Sequence, residues 1–445
     1  MGERQLQDGI AHVAKRAGLG AVSDLVRLTG GATMESWRFS AGGEDYVLRR
    51  APSAQMMETR PFGHDTEAAI IRAVHAAGVT APEIVAELHE DDGIGTGFVM
   101  RALPGTPDPR AILAVDDPDA LLVRCGQELA RIHALSRDAL PDAVPTLDLR
   151  ESIADFRVRF AASGGDRPII ALGLRWLEDN APAPAPTVLN HGDFRVGNLL
   201  VQDGALTGVL DWELAHFGDP HEDLAFGCMA VWRFARYDRP ALGLGSLDTY
   251  FAAYEDAGGT PVDPVRFRYW MIYRTVWWAL GCLGMGNIWR EGADRTLERA
   301  VISRRTSEQE LDLLLLLEEE APAEERARTL DATARKPGDT GEATSGDLAT
   351  AIAEWLATIK DRMEGHDRFQ LAVARNALGI IARNQGIQPD DCSRGLADDL
   401  LEGRQTLAAP GLLARLRRAA LAKLAADMPK YPALAVARSK WTGGD

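Results

Sequence analysis

Residues 189–213 read LNHGDFRVGNLLVQDGALTGVLDWE, and the fold turns on how this stretch is punctuated. His191, Gly192 and Asp193 are followed five residues after the Asp by Asn198. An apolar run, Leu199–Val201, leads into Asp203-Gly204, a dipeptide that favours a tight turn between strands. A second run, Thr207–Leu210, ends in Asp211. A hairpin over this stretch brings two carboxylates and one amide together.

That set suits phosphoryl transfer. One carboxylate can orient and deprotonate an acceptor hydroxyl, while Asn and a second carboxylate can hold Mg2+ on nucleotide phosphates. Taken singly, Asp193 reads as a turn cap and Asn198 as a turn residue. The joint spacing H-x-D-x4-N, a strand pair and then Asp is also the order of catalytic loop and metal-binding Asp in protein kinases. Gly192 stands where those carry Arg, and Trp212-Glu213 follow Asp211.

HGDFRVGN followed by VLDWELAHFGDPHEDLA resembles the aminoglycoside phosphotransferase and choline kinase-like family. Within it the nearest look is to the phosphotransferase domains linked to acyl-CoA dehydrogenases. The resemblance covers roughly residues 20–320 and implies a bilobal protein-kinase-like α+β fold, with a small β-rich N-lobe and a larger, mainly helical C-lobe. It implies Asp193 as catalytic base and Asn198 and Asp211 as magnesium ligands. His191 and Asp223 then take structural roles, the second buttressing the catalytic loop, and Asp219 reads as a turn residue. The last hundred residues are similar to an all-α domain appended to some bacterial members.

Outward from the hairpin, the first hundred residues alternate strand, strand, helix, strand, strand. The helix is expected over 64–77, with Gly78 as its stop. As a nucleotide lobe, this region would place Gly30, Gly31 and Thr33 at a phosphate-binding turn, although a glycine pair is as readily a plain hairpin. Arg49, in the strand YVLRR, matches the position of the family's phosphate-binding cation, and Glu67 matches the acid that pairs with it. Arg50 alternates to the other strand face. Met100, Arg101 and Ala102 fall at the hinge whose backbone would read adenine. Helices are expected at 117–136, 151–162, 169–179, 221–234, 246–257, 264–289 and 296–319. The domain reading is 1–102, nucleotide lobe; 103–320, catalytic and acceptor lobe; 321–346, a polar linker; and 347–445, a C-terminal helical domain.

Composition bounds the rest. The chain has 445 residues and a net charge of −16, with 49 basic against 65 acidic residues, so a general basic field for nucleic acid is absent. Residues 346–445 carry +2, so the kinase-like part holds all of the excess acid. Four scattered cysteines and no long apolar segment point to a cytoplasmic protein with free thiols and no membrane partner. The expected donor is ATP, with GTP left open, and the expected cofactor is Mg2+. The expected acceptor is a small hydroxyl compound. Arginines at 233, 236, 239, 266, 268, 274 and 290 would suit an anionic or phosphate-bearing acceptor over a polycationic aminoglycoside; the alternative is that they are paired with nearby acids. The resemblance to the dehydrogenase-linked domains implies a hydroxyacyl-CoA or related hydroxy compound, with an aminoglycoside or choline-type acceptor as the alternative. The tryptophans at 270, 277, 278 and 289 read mainly as core. A nucleotide-binding pseudokinase or scaffold is the alternative of another class, and the C-terminal domain is a candidate homodimer contact.

Overall fold

The computed structural model describes residues 3–28, 34–52, 57, 60–294, 296–330, 345–384 and 393–442. They form an α+β, kinase-like fold whose chain divides into two compact units. One is Met1–Leu147 with Pro184–Phe267; the other is Asp148–Ala183 with Arg268–Asp445.

The first unit opens with a five-stranded antiparallel sheet. Its strands are β1 (Val22–Arg27), β2 (Glu35–Ala41), β3 (Glu44–Ala51), β4 (Ile84–Glu87) and β5 (Thr96–Arg101), in the order β1-β2-β3-β5-β4. Gly42 and Gly43, at φ 60° and 88°, make the two-residue turn between β2 and β3. The helix Glu3–Arg16 repeats Leu6, Ile10 and Val13 along one face and buries them on Phe39, Tyr46, Leu48 and Val99. The helix His64–Ala76 packs on β4 and β5, and Gly78 follows it at φ 81°.

Below the sheet in sequence come two short antiparallel pairs. β6 (Val188–Asn190) pairs with β9 (His216–Gly218), and β7 (Leu199–Gln202) pairs with β8 (Ala205–Val209). Asp203 and Gly204, at φ 51° and 78°, turn the second pair. The helix expected over 221–234 is shorter: it covers Pro220–Phe226, and a 3-10 turn follows at Ala230–Arg233. Gly227 follows its end and packs on the backbone next to Asp193: a Cβ there would meet the Phe194 carbonyl oxygen at 2.5 Å.

The second unit is helical. The helix Pro168–Asp179 packs on Ser393–Leu401, and Thr306–Leu317 packs on both Leu412–Asp427 and Pro432–Thr442. Elements before and after the polar stretch 321–346 therefore share one unit. Part of that stretch is itself ordered: Ala321 and Leu330 are buried, and the Leu330 N–H donates to the Trp441 carbonyl at 2.9 Å. Residues 331–344 lie outside the described ones. Trp270 is buried at 2 % exposure, while Trp277, Trp278 and Trp289 are half-buried.

One buried carboxylate ties the last helix in place. Glu318 accepts from Arg417 and from the Trp441 indole, both at 2.7 Å, and also pairs with Lys440. Arg417 and Glu318 are almost fully buried, so losing Glu318 leaves Arg417 with backbone carbonyls but no opposite charge at hand. Glu318→Ala is expected to destabilise the protein by about 3 kcal/mol. Removing 347–445 should expose the buried Leu311, Leu313, Leu314 and Leu317 and produce aggregation. Denaturant melts and light scattering of both variants check this; a soluble truncation with an unchanged melting temperature would contradict it.

Candidate active site

The β7–β8 hairpin assembles the polar residues. Leu199 pairs with Val209, and one step further the Leu210 N–H donates to the Asn198 carbonyl at 2.8 Å, so Asn198 lies opposite the entry to Asp211. Asp211 sits at φ 70°, a left-handed backbone that Asp tolerates better than most residues. The Asn198 amide donates from Nδ2 to the Asp193 carbonyl at 2.9 Å and to Asp193 Oδ2 at 2.6 Å. Its other end, Oδ1, is the oxygen left for a cation.

The loop carrying Asp193 is held from behind by Asp223. His191 N–H donates to Asp223 Oδ2 at 2.6 Å and Gly192 N–H to Oδ1 at 2.9 Å. Gly192 is at φ 81°, and a Cβ there would overlap the Leu214 carbonyl oxygen. The Arg of protein kinases could not occupy this position without moving the loop. Asp223 also meets His133 Nε2 at 3.4 Å, and His133 Nδ1 meets the Tyr254 hydroxyl at 2.8 Å. Burial alone would raise the Asp223 pKa, but the bonds from His133 and the loop amide bring it down to about 2. His191 Nε2 faces the Leu210 carbonyl at 3.1 Å, while Nδ1 accepts from the Asp193 N–H at 3.2 Å. Both contacts require a neutral ring protonated at Nε2, and burial lowers the His191 pKa accordingly.

Facing the hairpin is β3. Arg49 lies 3.1 Å from Glu67, 2.7 Å from Asp211, and against Glu213. Arg60 also pairs with Glu213. Two guanidiniums thus serve three carboxylates. Burial opposes the charge on Arg49, yet the three acids raise its pKa. Burial pushes Glu67 up to about 7, against the pull of Arg49 and helped by Asp211 and Glu213. Burial would also raise Asp211, but Arg49 brings it below the ordinary carboxylate range. The Arg49–Glu67 pair is close but poorly aligned, leaving Arg49 Nε and Glu67 Oε1 buried without a hydrogen bond. Arg50 turns the other way, to Glu35 and the Ile94 carbonyl, each at 2.9 Å.

Arg49, Glu67, Asp193, Asn198 and Asp211 are thus gathered in one place. Met100 and Arg101 lie within β5. The Arg101 N–H is used by the Glu83 carbonyl and the Ala102 N–H by the Asp45 carbonyl, both at 2.9 Å, so the sheet takes these two donors. Gly30, Gly31 and Thr33 lie outside the described residues. Asp219 caps the helix Pro220–Phe226 and pairs with Arg266. Sequence reasoning passed over Arg60, Glu213 and Arg195. Glu213 and Arg195 stand inside the quoted strings, but Arg60 carried no signal. Arg195 Nε donates to Asp193 Oδ1 at 2.7 Å. Burial raises the Asp193 pKa, with Arg195 pulling against it.

The model of the phosphotransferase enzyme family matches residues 24–262, which include all of these groups. The chain belongs to that family. Mouse acyl-CoA dehydrogenase family member 10 is 27 % identical over 270 residues, covering 55 % of this chain and 25 % of that protein. Chicken acyl-CoA dehydrogenase family member 11 is 28 % identical, covering 51 % of this chain and 30 % of that protein. The chain therefore spans less than a third of either relative. Hygromycin-B 4-O-kinase of Escherichia coli is 26 % identical, covering 46 % of this chain and 62 % of that enzyme. Among solved structures, a Ralstonia eutropha protein assigned as an aminoglycoside phosphotransferase matches with TM-score 0.54 at 20 % identity, covering 67 % of this chain and 93 % of that one. At these identities the solved structures establish the kinase-like fold. In sequence the chain is similar to a small-molecule kinase, the hygromycin enzyme.

Asp223 gives a direct handle on the loop. Its depressed pKa means that its stabilisation is complete above about pH 4 and is lost as pH falls through about 2. Asp223→Asn presents one acceptor to two amides and should cost roughly 1–3 kcal/mol at neutral pH. The variant should also show a flatter acid limb between about pH 4 and 2. Urea melts across this range check it; parallel curves for the two proteins would contradict it.

Proposed function

We propose that this phosphotransferase moves the γ-phosphoryl group of ATP, with Mg2+, to a hydroxyl of a small molecule, and that the acceptor is a hydroxyacyl-CoA or related hydroxy compound. The observation that carries the reading is the convergence of Asp193, Asn198 and Asp211 on one hairpin opposite the Arg49–Glu67 pair.

The residues fit a magnesium ion. Asn198 Oδ1 and the Asp211 carboxylate are hard oxygen donors, and two protein ligands suit an ion that fills its remaining positions with phosphate and water. Of the three carboxylates around Arg49, Asp211 is the one held below the ordinary carboxylate range, so it offers a cation a charged oxygen. When bound, Mg2+ would neutralise charge on the phosphates. Arg49 would exchange a carboxylate for the α/β-phosphates, and its misaligned contact with Glu67 leaves a donor for this. Asp193 would accept the acceptor's proton at a carboxylate oxygen as the hydroxyl oxygen attacks the γ-phosphorus in line and ADP departs. His191 and Asp223 hold the base in place and take no proton. Met100, Arg101 and Ala102 would border the adenine chiefly through carbonyl groups.

The hydroxyacyl reading draws on similarity to the acyl-CoA dehydrogenase relatives, and an aminoglycoside reading draws on the hygromycin kinase. Arg195 beside the base disfavours a polycationic acceptor. The arginines noted in the sequence do not decide the matter: Arg236 and Arg239 contact Asp238, Arg266 pairs with Asp219, and Arg268 pairs with Glu320. Among the described residues no helix is long and apolar enough to cross a membrane. We place the reaction in the cytoplasm.

Asp193→Asn should lower phosphoryl transfer by about 10³-fold while ATP affinity, measured by calorimetry, stays within about twofold. Full activity in that variant would overturn the assignment. Because burial raises the Asp193 pKa and the base must be ionised, kcat/KM should fall on acidification with a midpoint above the ordinary carboxylate range. A pH–rate profile flat down to pH 4 would contradict it.

A further inference from the structure

We propose that Arg195 binds an anionic group, carboxylate or phosphate, that the acceptor carries close to its reacting hydroxyl. The proposal rests on the kinase reading above and, within the hydroxy compounds named there, favours hydroxy acids and hydroxy phosphates over the acyl-CoA thioester, whose phosphates lie far from the acyl hydroxyl.

Three observations carry it. First, Arg195 grips the base itself, with Nε 2.7 Å from Asp193 Oδ1 and NH2 3.3 Å from Oδ2. Oδ2 also takes the Asn198 amide at 2.6 Å, so both oxygens of the base already accept donors. A hydroxyl that must reach Asp193 competes with this guanidinium for the carboxylate oxygens. An anion arriving on the acceptor would draw Arg195 toward itself and free an oxygen of Asp193. A neutral alcohol has no such effect.

Second, Arg195 is positioned as a binding group. Its guanidinium lies 4.4 Å above the Trp232 ring, an arrangement that fixes its plane. Among the described residues its NH1 donates no hydrogen bond, so Nε and NH2 serve Asp193 while a further donor remains. A planar fork with a spare prong is the usual recogniser of carboxylate and phosphate.

Third, the neighbouring backbone makes room for it. NH1 lies over Gly197, where any Cβ would overlap it. Phe234, close to the same point and 38 % exposed, stands with Ala235 on left-handed backbone at φ 45° and 76°. Two consecutive non-glycine residues in that region carry strain of order 1–3 kcal/mol each, which an ordinary loop would relax. Here they leave an aromatic edge next to the cation and the base.

The test uses full-length protein saturated with AMP-PNP and Mg2+, so that the γ-phosphate position is filled. Glycerol 3-phosphate and glycerol are titrated by calorimetry, then 3-hydroxybutyrate and 3-hydroxybutyramide. At least one anionic member should bind about tenfold or more tightly than its neutral partner. Arg195→Gln should bring that ratio to within about twofold, and Arg195→Lys should restore part of it, while AMP-PNP affinity and melting temperature hold in both. Equal or absent binding of anionic and neutral members in the wild type, or an unchanged ratio in Arg195→Gln, would overturn the proposal. Failure of AMP-PNP to bind would instead overturn the kinase reading beneath it.

Discussion

The loop that carries Asp193 depends on one buried carboxylate. Asp223 accepts two successive backbone N–H groups, those of His191 and Gly192, and so sets the path of the chain into Asp193. Two amides pointing at one side chain require the intervening peptide to turn sharply, and Gly192 supplies the positive φ for that turn. The rest of the site is built on it. His191 swings its ring to the Leu210 carbonyl and joins the loop to the strand that ends in Asp211. With Asp223 buried and ionised, its cost is offset by His133, whose Nε2 faces it at 3.4 Å while Nδ1 meets the Tyr254 hydroxyl at 2.8 Å. The support therefore runs from Tyr254 through His133 and Asp223 to the backbone leading into Asp193.

Charge distribution explains the other half of the site. Arg49 is shared among Glu67, Asp211 and Glu213, and none of the three can be fully neutralised by it. Glu67, the most buried of these acids, rises to about 7. Asp211 keeps the aligned hydrogen bond at 2.7 Å and stays ionised. Asp211 is thus kept charged while its neighbour absorbs the cost of crowding. Across the hairpin, Arg195 pulls against the burial that raises Asp193. The net charge of −16 does not describe this point of the site, because the group beside Asp193 is a guanidinium.

The hairpin and its polar residues were legible in the sequence because their spacing is local: Asn198 lies five residues from Asp193, and the Asp203-Gly204 turn fixes the register that brings Asp211 alongside. The α+β kinase-like fold followed from the same strings. The site residues whose meaning depends on distant partners were not legible. Arg195 is defined by stacking on Trp232, and Arg60 by Glu213, more than a hundred residues away. The helix ends early, at Phe226, and Gly227 after it lies against the Phe194 backbone, a contact that no helical periodicity records. The polar composition of 321–346 reads as a break, yet Glu318 just before it reaches Arg417 and Trp441 near the end of the chain. Ion pairs and indole bonds at that separation leave no periodic trace. The phosphate-turn reading of Gly30, Gly31 and Thr33 falls outside the described residues.

Whether this constellation transfers phosphoryl groups to an alcohol is read by following ATP by phosphorus NMR across a library of hydroxylated acids, acyl thioesters, choline and aminoglycosides, with and without Mg2+. A phosphate-ester resonance growing in step with ADP is expected for at least one anionic hydroxy compound, and only when Mg2+ is present. Tight ATP binding with no ester formed from any acceptor would contradict it and favour a nucleotide-binding scaffold.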